Sequence, residues 1–222
     1  MERHFDEELT KLKTDLIRMD SLVEEAIYKS VEAIKNRDRR LAEEVIEGDN
    51  RIDDMENSIE EDAISLLALR QPMAVDLRFI TTGMKINAEL ERIADLAVNI
   101  AQRALEICDQ PLLKPMINIP KLSNLAIKML KGSIDAFVNK DENLAKEIIL
   151  TDPQADALKN SIKDELVNEY MIKDPSTVTR AVPLILVARH LERICDHATN
   201  IAEDVIYMVQ ARVVKHRNLI QE

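Results

Sequence analysis

LERIADLAVNIA, Leu90 to Ala101, returns almost unchanged as LERICDHATNIA, Leu191 to Ala202, with nine of the twelve aligned positions identical. Each copy repeats an acidic pair, Glu91 and Asp95 against Glu192 and Asp196, followed by an asparagine, Asn99 against Asn200. On an α-helix, positions four and eight apart drift only slightly around the axis. The spacing therefore predicts two helices, each with a narrow Glu, Asp, Asn stripe on an otherwise aliphatic background.

A second repeat lies upstream. SVEAIKNRDRRLAEEVIEGD, Ser30 to Asp49, aligns with SIDAFVNKDENLAKEIILTD, Ser133 to Asp152, at an offset of 103, whereas the stripes repeat at an offset of 101. The second copy is thus two residues shorter near its last hairpin. From Asp6 to about Asn36, Leu9, Leu12, Leu16, Met19, Val23, Ile27 and Ile34 recur at helical spacing. Asp38 then stands as the N-cap of a second helix. Gln71-Pro72 ends that helix, with Pro72 assigned to the first turn of a third that runs from about Met73 to Cys108. Pro111, Pro115 and Pro120 mark the linker. The fold class is all-α: two tandem, pseudo-symmetric three-helix bundles with six long helices, residues 1–110, linker 111–120, and residues 121–222.

Composition agrees. Aromatic residues make up 3% of the 222 residues, there is no Trp, and only three glycines occur, which fits aliphatic helices rather than sheet. A net charge of -11 speaks against nucleic acid, whose affinity comes from lysine and arginine. The longest apolar run, Ala181 to Ala188, is far below the roughly 18 residues that span a bilayer, so no direct membrane insertion is expected. The charged N-terminus has no signal-peptide core, and the unmatched Cys108 and Cys195 read as packed thiols, so a cytoplasmic location is expected.

Hairpin arithmetic turns the stripes into sites. Asp49 and Asp53 lie about twenty residues before the Gln71 turn and Glu91 and Asp95 about twenty after it, so both pairs sit roughly 30 Å from the turn. Asp152 and Asp156 stand in the same relation to Glu192 and Asp196 across a turn near Asp174-Pro175. Each unit is expected to gather four carboxylates from two adjacent helices. Gly48 and Pro153, beside the first aspartate of each pair, predict a kink or break there, and Pro183 predicts a kink in the last helix.

Stacked like charges call for a cation. Hard oxygen donors suit a divalent or trivalent metal, without distinguishing Mg, Ca, Mn, Fe or Zn, and Asn99 and Asn200 add carbonyl oxygens. The competing reading is a solvated acidic face neutralised by Arg92, Arg103, Arg193 or lysines. No Glu-x-x-His motif, Gly-rich loop or activated nucleophile occurs, and no organic cofactor is expected. His4 and His216 lie near the termini, while His190 and His197 fall on the flank of the last helix.

QPMAVDLR, Gln71 to Arg78, followed by LERIADLAVNIA, and ARHLERICDHATNIAE, Ala188 to Glu203, together resemble the PhoU family of phosphate-signalling regulators over nearly the full length. The resemblance implies two three-helix bundles in a cytoplasmic, often dimeric negative regulator. It implies an adaptor linking the ATPase component of a phosphate ABC transporter to a sensor histidine kinase, and no enzymatic activity. It also implies metal binding at Glu91, Asp95, Glu192 and Asp196, with Asp49, Asp53, Asp152 and Asp156 less firmly placed and Asn99 and Asn200 as neighbours. A metal-dependent enzyme or metal-storage bundle built on the same acidic clusters is the rival reading.

Overall fold

The computed structural model describes residues 2–113 and 117–212. Among them are six long helices and no strand: α1 Glu2–Asn36, α2 Arg39–Arg70, α3 Ala74–Ile107, α4 Asn118–Asn139, α5 Glu142–Glu165 and α6 Val178–Gln210. Helices α1–α3 form one antiparallel bundle and α4–α6 another, and the two pack together through α3 on α6 and α1 on α4. Pro115 and His216 lie outside the described residues.

The first helix shows why the chain folds this way. Leu12, Leu16, Met19, Val23, Ile27, Val31 and Ile34 recur three or four residues apart and are all buried. Closing such an aliphatic side chain away from water contributes about 1.5–3 kcal/mol. The central pair, α3 and α6, is buried on more than one face and rich in alanine, including Ala94, Ala97, Ala101, Ala188, Ala198 and Ala202. Small side chains let their backbones approach. At the α4–α5 contact a Cβ on Gly132 would come within 2.6 Å of Ile148 Cδ1, so this position has no room for a side chain unless Ile148 moves.

Three contacts fix the direction of the central pair. Arg78 Nε donates to the Met208 carbonyl at 3.0 Å, Lys85 pairs with Asp204 at 2.7 Å, and Glu89 pairs with His197. Rising numbers on α3 meet falling numbers on α6, so the helices run antiparallel. That register sets Ile93 level with its repeat equivalent Ile194, on the axis relating the two units. Phe79 of α3 stacks on Phe137 of α4 at 4.8 Å between centroids, joining the same two units.

The first turn of each repeat is built alike. Arg37 and Lys140 take left-handed backbone angles, with φ of 56° and 53°. The Asp38 and Asp141 amides then reach back to Ala33 and Ala136 carbonyls at 2.9 Å, satisfying groups that the helix end leaves open. Asp38 and Asp141 next cap α2 and α5, accepting from the Leu41 and Leu144 amides at 3.1 Å. The Asp38 cap matches the expectation from the sequence.

Neither Gly48 nor Pro153 breaks its helix. Helix α2 continues through Gly48, where Val45 and Ile52 anchor the turns on either side. Helix α5 likewise continues through Pro153: one carbonyl, that of Ile149, loses its helical donor, while Ile148, Ile149, Ala155 and Ile162 remain buried. Pro183 sits inside an unbroken α6. Pro120 belongs to the first turn of α4 rather than to the linker, and Pro72 precedes α3, whose N-cap is Met73. In place of a break at Pro153, the chain widens into a π-helical turn at Leu166–Met171 before the second hairpin.

Candidate functional site

Helices α2 and α3 present the first acidic cluster. Asp49 is pushed up to about 6, chiefly by burial and then by the charges of Asp53 and Asp95. Glu91 is raised by burial, then by Asp95, Glu56 and Asp53. The four carboxylates expected from the hairpin spacing therefore share one field, joined by a fifth, Glu56. Among the described residues no lysine, arginine or histidine forms an ion pair with any of the five. Arg92, a candidate for neutralising them, bonds Glu89 at 3.1 Å and acts on Glu91 only through its charge, as the weakest of the influences on that group.

Helices α5 and α6 present the second cluster. Asp196 is pushed up to about 6 by burial, then by Glu192, Asp152 and Asp156. The cluster's acidity also reaches Cys195, whose thiol is held well above its usual range by burial and then by Asp152, Asp196 and Glu192. Its inert, enclosed state matches the packed-thiol expectation, and Cys108 is buried too.

A cation is built into this second cluster. Lys159 reaches Asp156 at 2.6 Å and Glu192 at 2.5 Å, tying α5 to α6. Burial pulls the ammonium down, but those two bonds more than offset it and leave Lys159 above its ordinary value. Lys159 also lines a groove of about 540 Å³ with Lys163, Arg189, Arg193, Glu192 and Asp196. The acidic face of the second unit is thus interleaved with basic side chains.

The asparagines and histidines take other roles. Asn99 turns its amide nitrogen back to the Asp95 carbonyl of its own helix at 2.8 Å, and Asn200 turns its own toward Glu89 at 3.4 Å. His197 bonds Glu89 through Nδ1 at 2.5 Å, in a site where both side chains are mostly enclosed. Burial works to raise Glu89, but His197, Asn200 and Arg92 together hold it below the usual carboxylate range. His190 is half-buried with Nδ1 enclosed and unpartnered, and burial followed by Arg193, Arg103 and Arg189 lowers its pKa. Neither histidine adjoins a metal-ready set.

As they stand, no three His, Cys, Asp or Glu side chains among the described residues are gathered closely enough to hold a metal ion. The sequence reading missed Glu56 and Lys159, although each lies three residues after its aspartate, Asp53 or Asp156, and so on the same helical face. It also missed Glu89, whose partners His197 and Asn200 come from the other unit and leave no local signal.

Comparison with known proteins follows the same outline. A family model described as the PhoU domain matches residues 16–104 and again 119–205. The phosphate-specific transport system accessory protein PhoU homolog of Aquifex aeolicus is 43% identical over 212 residues, covering 96% of both chains. Its Pseudomonas aeruginosa counterpart is 37% identical over 220 residues, covering 98% of this chain and 90% of the relative. The crystal structure of PhoU from Pseudomonas aeruginosa superposes with a TM-score of 0.88 at 37% identity, covering 94% of this chain and all of that one (100%). That of the phosphate transport system regulatory protein PhoU from Streptococcus pneumoniae also gives 0.88, at 28% identity, covering 95% and 99%.

Proposed function

The chain belongs to the PhoU domain family, and from that premise we propose that it regulates phosphate transport as a negative regulator of uptake and of phosphate-starvation signalling. The match over both repeats and nearly the whole length carries this reading. The relatives' names are those of accessory and regulatory proteins rather than enzymes. In this role the protein is a rigid helical adaptor that docks on the ATPase component of the phosphate transporter and on a sensor histidine kinase, as a homodimer in the cytoplasm. No helix among the described residues is long and apolar enough to cross a membrane. The absence of a Gly-rich phosphate cradle in the sequence suits a protein that learns of phosphate through its partners.

The acidic clusters supply a metal-binding element in this proposal. In the first unit the donor chemistry fits: Asp49, Asp53, Glu56, Glu91 and Asp95 are hard oxygen ligands with no ion-paired cation among the described residues, and the Asp49 carboxyl is pushed up to about 6 by burial and then by Asp53 and Asp95. Metal there would draw the carboxylates together and clamp α2 to α3. The second unit fits less well, because Lys159 occupies the space between Asp156 and Glu192.

The regulatory reading is tested in cells. Deleting the gene should switch on a phosphate-starvation reporter in phosphate-rich medium, and restoring the full chain should switch it off. A reporter that stays silent in the deletion strain contradicts negative regulation.

A further inference from the structure

The two units are repeats, yet one position of their clusters carries opposite charge. At an offset of 103, Asp49 and Asp53 correspond to Asp152 and Asp156, so Glu56 corresponds to Lys159 and Glu60 to Lys163. On the following helix, at an offset of 101, Glu91 and Asp95 correspond to Glu192 and Asp196, and Ala88 to Arg189. The carboxylate framework is therefore kept, while the residue one turn further along reverses its charge.

The geometry points to Lys159 as a resident cation that bridges the second cluster and does there what a metal ion would do in the first. Its ammonium bonds Asp156 on its own helix and Glu192 on α6, with the Lys159 and Glu192 side chains only 25% and 17% exposed. One point charge thus joins the same two helices that a bridging metal would join. A divalent ion entering between Asp156 and Glu192 must first displace it. Glu56, at the equivalent place in the first unit, adds a carboxylate and no ion pair. The two clusters therefore differ at one place: a carboxylate, Glu56, in the first, and in the second a cation that holds Asp156 and Glu192 while Asp196 still feels its acidic neighbours. This inference rests on the metal reading above for the first cluster, but its claim about Lys159 is separate.

A charge swap tests it in the full-length protein. Mn²⁺ binding is measured by equilibrium dialysis with metal analysis, and thermal midpoints are taken with and without Mn²⁺, for wild type, Lys159→Glu, Glu56→Lys and the double swap. Lys159→Glu should lower the metal-free midpoint, bind about one further Mn²⁺ per chain, and recover its midpoint when Mn²⁺ is added. Lys163→Glu, which adds the same charge without breaking the bridge, should do neither. Glu56→Lys should lose the Mn²⁺ that wild type binds, and the double swap should move binding from the first unit to the second. If Lys159→Glu is folded by circular dichroism but binds no more Mn²⁺ than wild type, the resident-cation proposal is overturned. If wild type and Glu56→Lys alike bind none, the metal reading of the first cluster fails, while the gain in Lys159→Glu still decides the role of Lys159.

Discussion

Asp20 ties the stability of the molecule to pH. It sits on α1 where α4 covers it, 6% exposed, with Oδ1 lacking a hydrogen-bond partner. Burial, and then the charges of Glu24 and Asp135, push its carboxyl up to about 8, with Lys131 opposing them. Because the folded protein holds this proton more tightly than the unfolded chain does, stability falls as pH rises from about 4 to about 8. Each unit of such a shift is worth about 1.4 kcal/mol. Asp20→Asn, uncharged at every pH, should therefore leave the urea midpoint almost unchanged near pH 4 and raise it increasingly up to pH 8. A variant whose advantage is the same at both ends of that range would show that Asp20 does not carry the effect. Nothing local announces Asp20 in the sequence: it lies on the helix face of Met19 and Val23, and only the docking of α4 encloses it. The same limit hid Glu89. The acidic pairs, by contrast, were legible because hairpin length alone sets their level.

At the scale of elements, the structure explains why substitutions near the clusters differ in effect. Gly48 lies inside α2, and a Cβ placed on it meets nothing within 4 Å. Gly48→Ala should raise stability by about 0.5–1 kcal/mol, by lowering the entropy of the unfolded chain, as read from denaturant midpoints. A loss instead would mean that α2 needs a distortion there. The caps should act in the other direction. Asp38→Ala and Asp141→Ala remove acceptors for the Leu41 and Leu144 amides, and each should cost about 1 kcal/mol. Equal losses would reflect the shared construction of the two turns. These turns were readable because Asn-Arg-Asp and Asn-Lys-Asp repeat at fixed offset, with an N-cap aspartate in each. The continuity of α5 was not: helix propensity penalises Pro153, but packing on both sides of it overrides a single lost hydrogen bond. The π-helical turn at Leu166–Met171 has no counterpart in α2 and no evident cue in its residues.

Across the whole molecule, α3 and α6 make the two repeats one body. Their buried alanines and isoleucines form a shared core, and the Glu89–His197 pair, assisted by Asn200, crosses between units away from solvent. Calorimetry should show one cooperative transition, and a chain cut between the repeats should lose it, since each half would expose the central face of α3 or α6. Removing Glu89 with Glu89→Ala should destabilise the protein by about 1.5–3 kcal/mol, with a smaller further loss when His197→Ala is added, because the two report one interaction. The sequence repeats made the two-unit architecture legible; the antiparallel seam between units was not, because the contacts that define it are not themselves repeated. Such a rigid body suits an adaptor, whose surfaces must keep fixed positions relative to each other. Docking of this body on the phosphate transport machinery, the role proposed for it, is read by co-purification. The tagged full-length protein is recovered from phosphate-rich and phosphate-starved cells, and the transporter ATPase component and the sensor kinase are quantified with bound metal in the same samples. Both named partners are expected to co-purify from phosphate-rich cells; recovery of folded protein with neither partner in either condition would rule out the adaptor role.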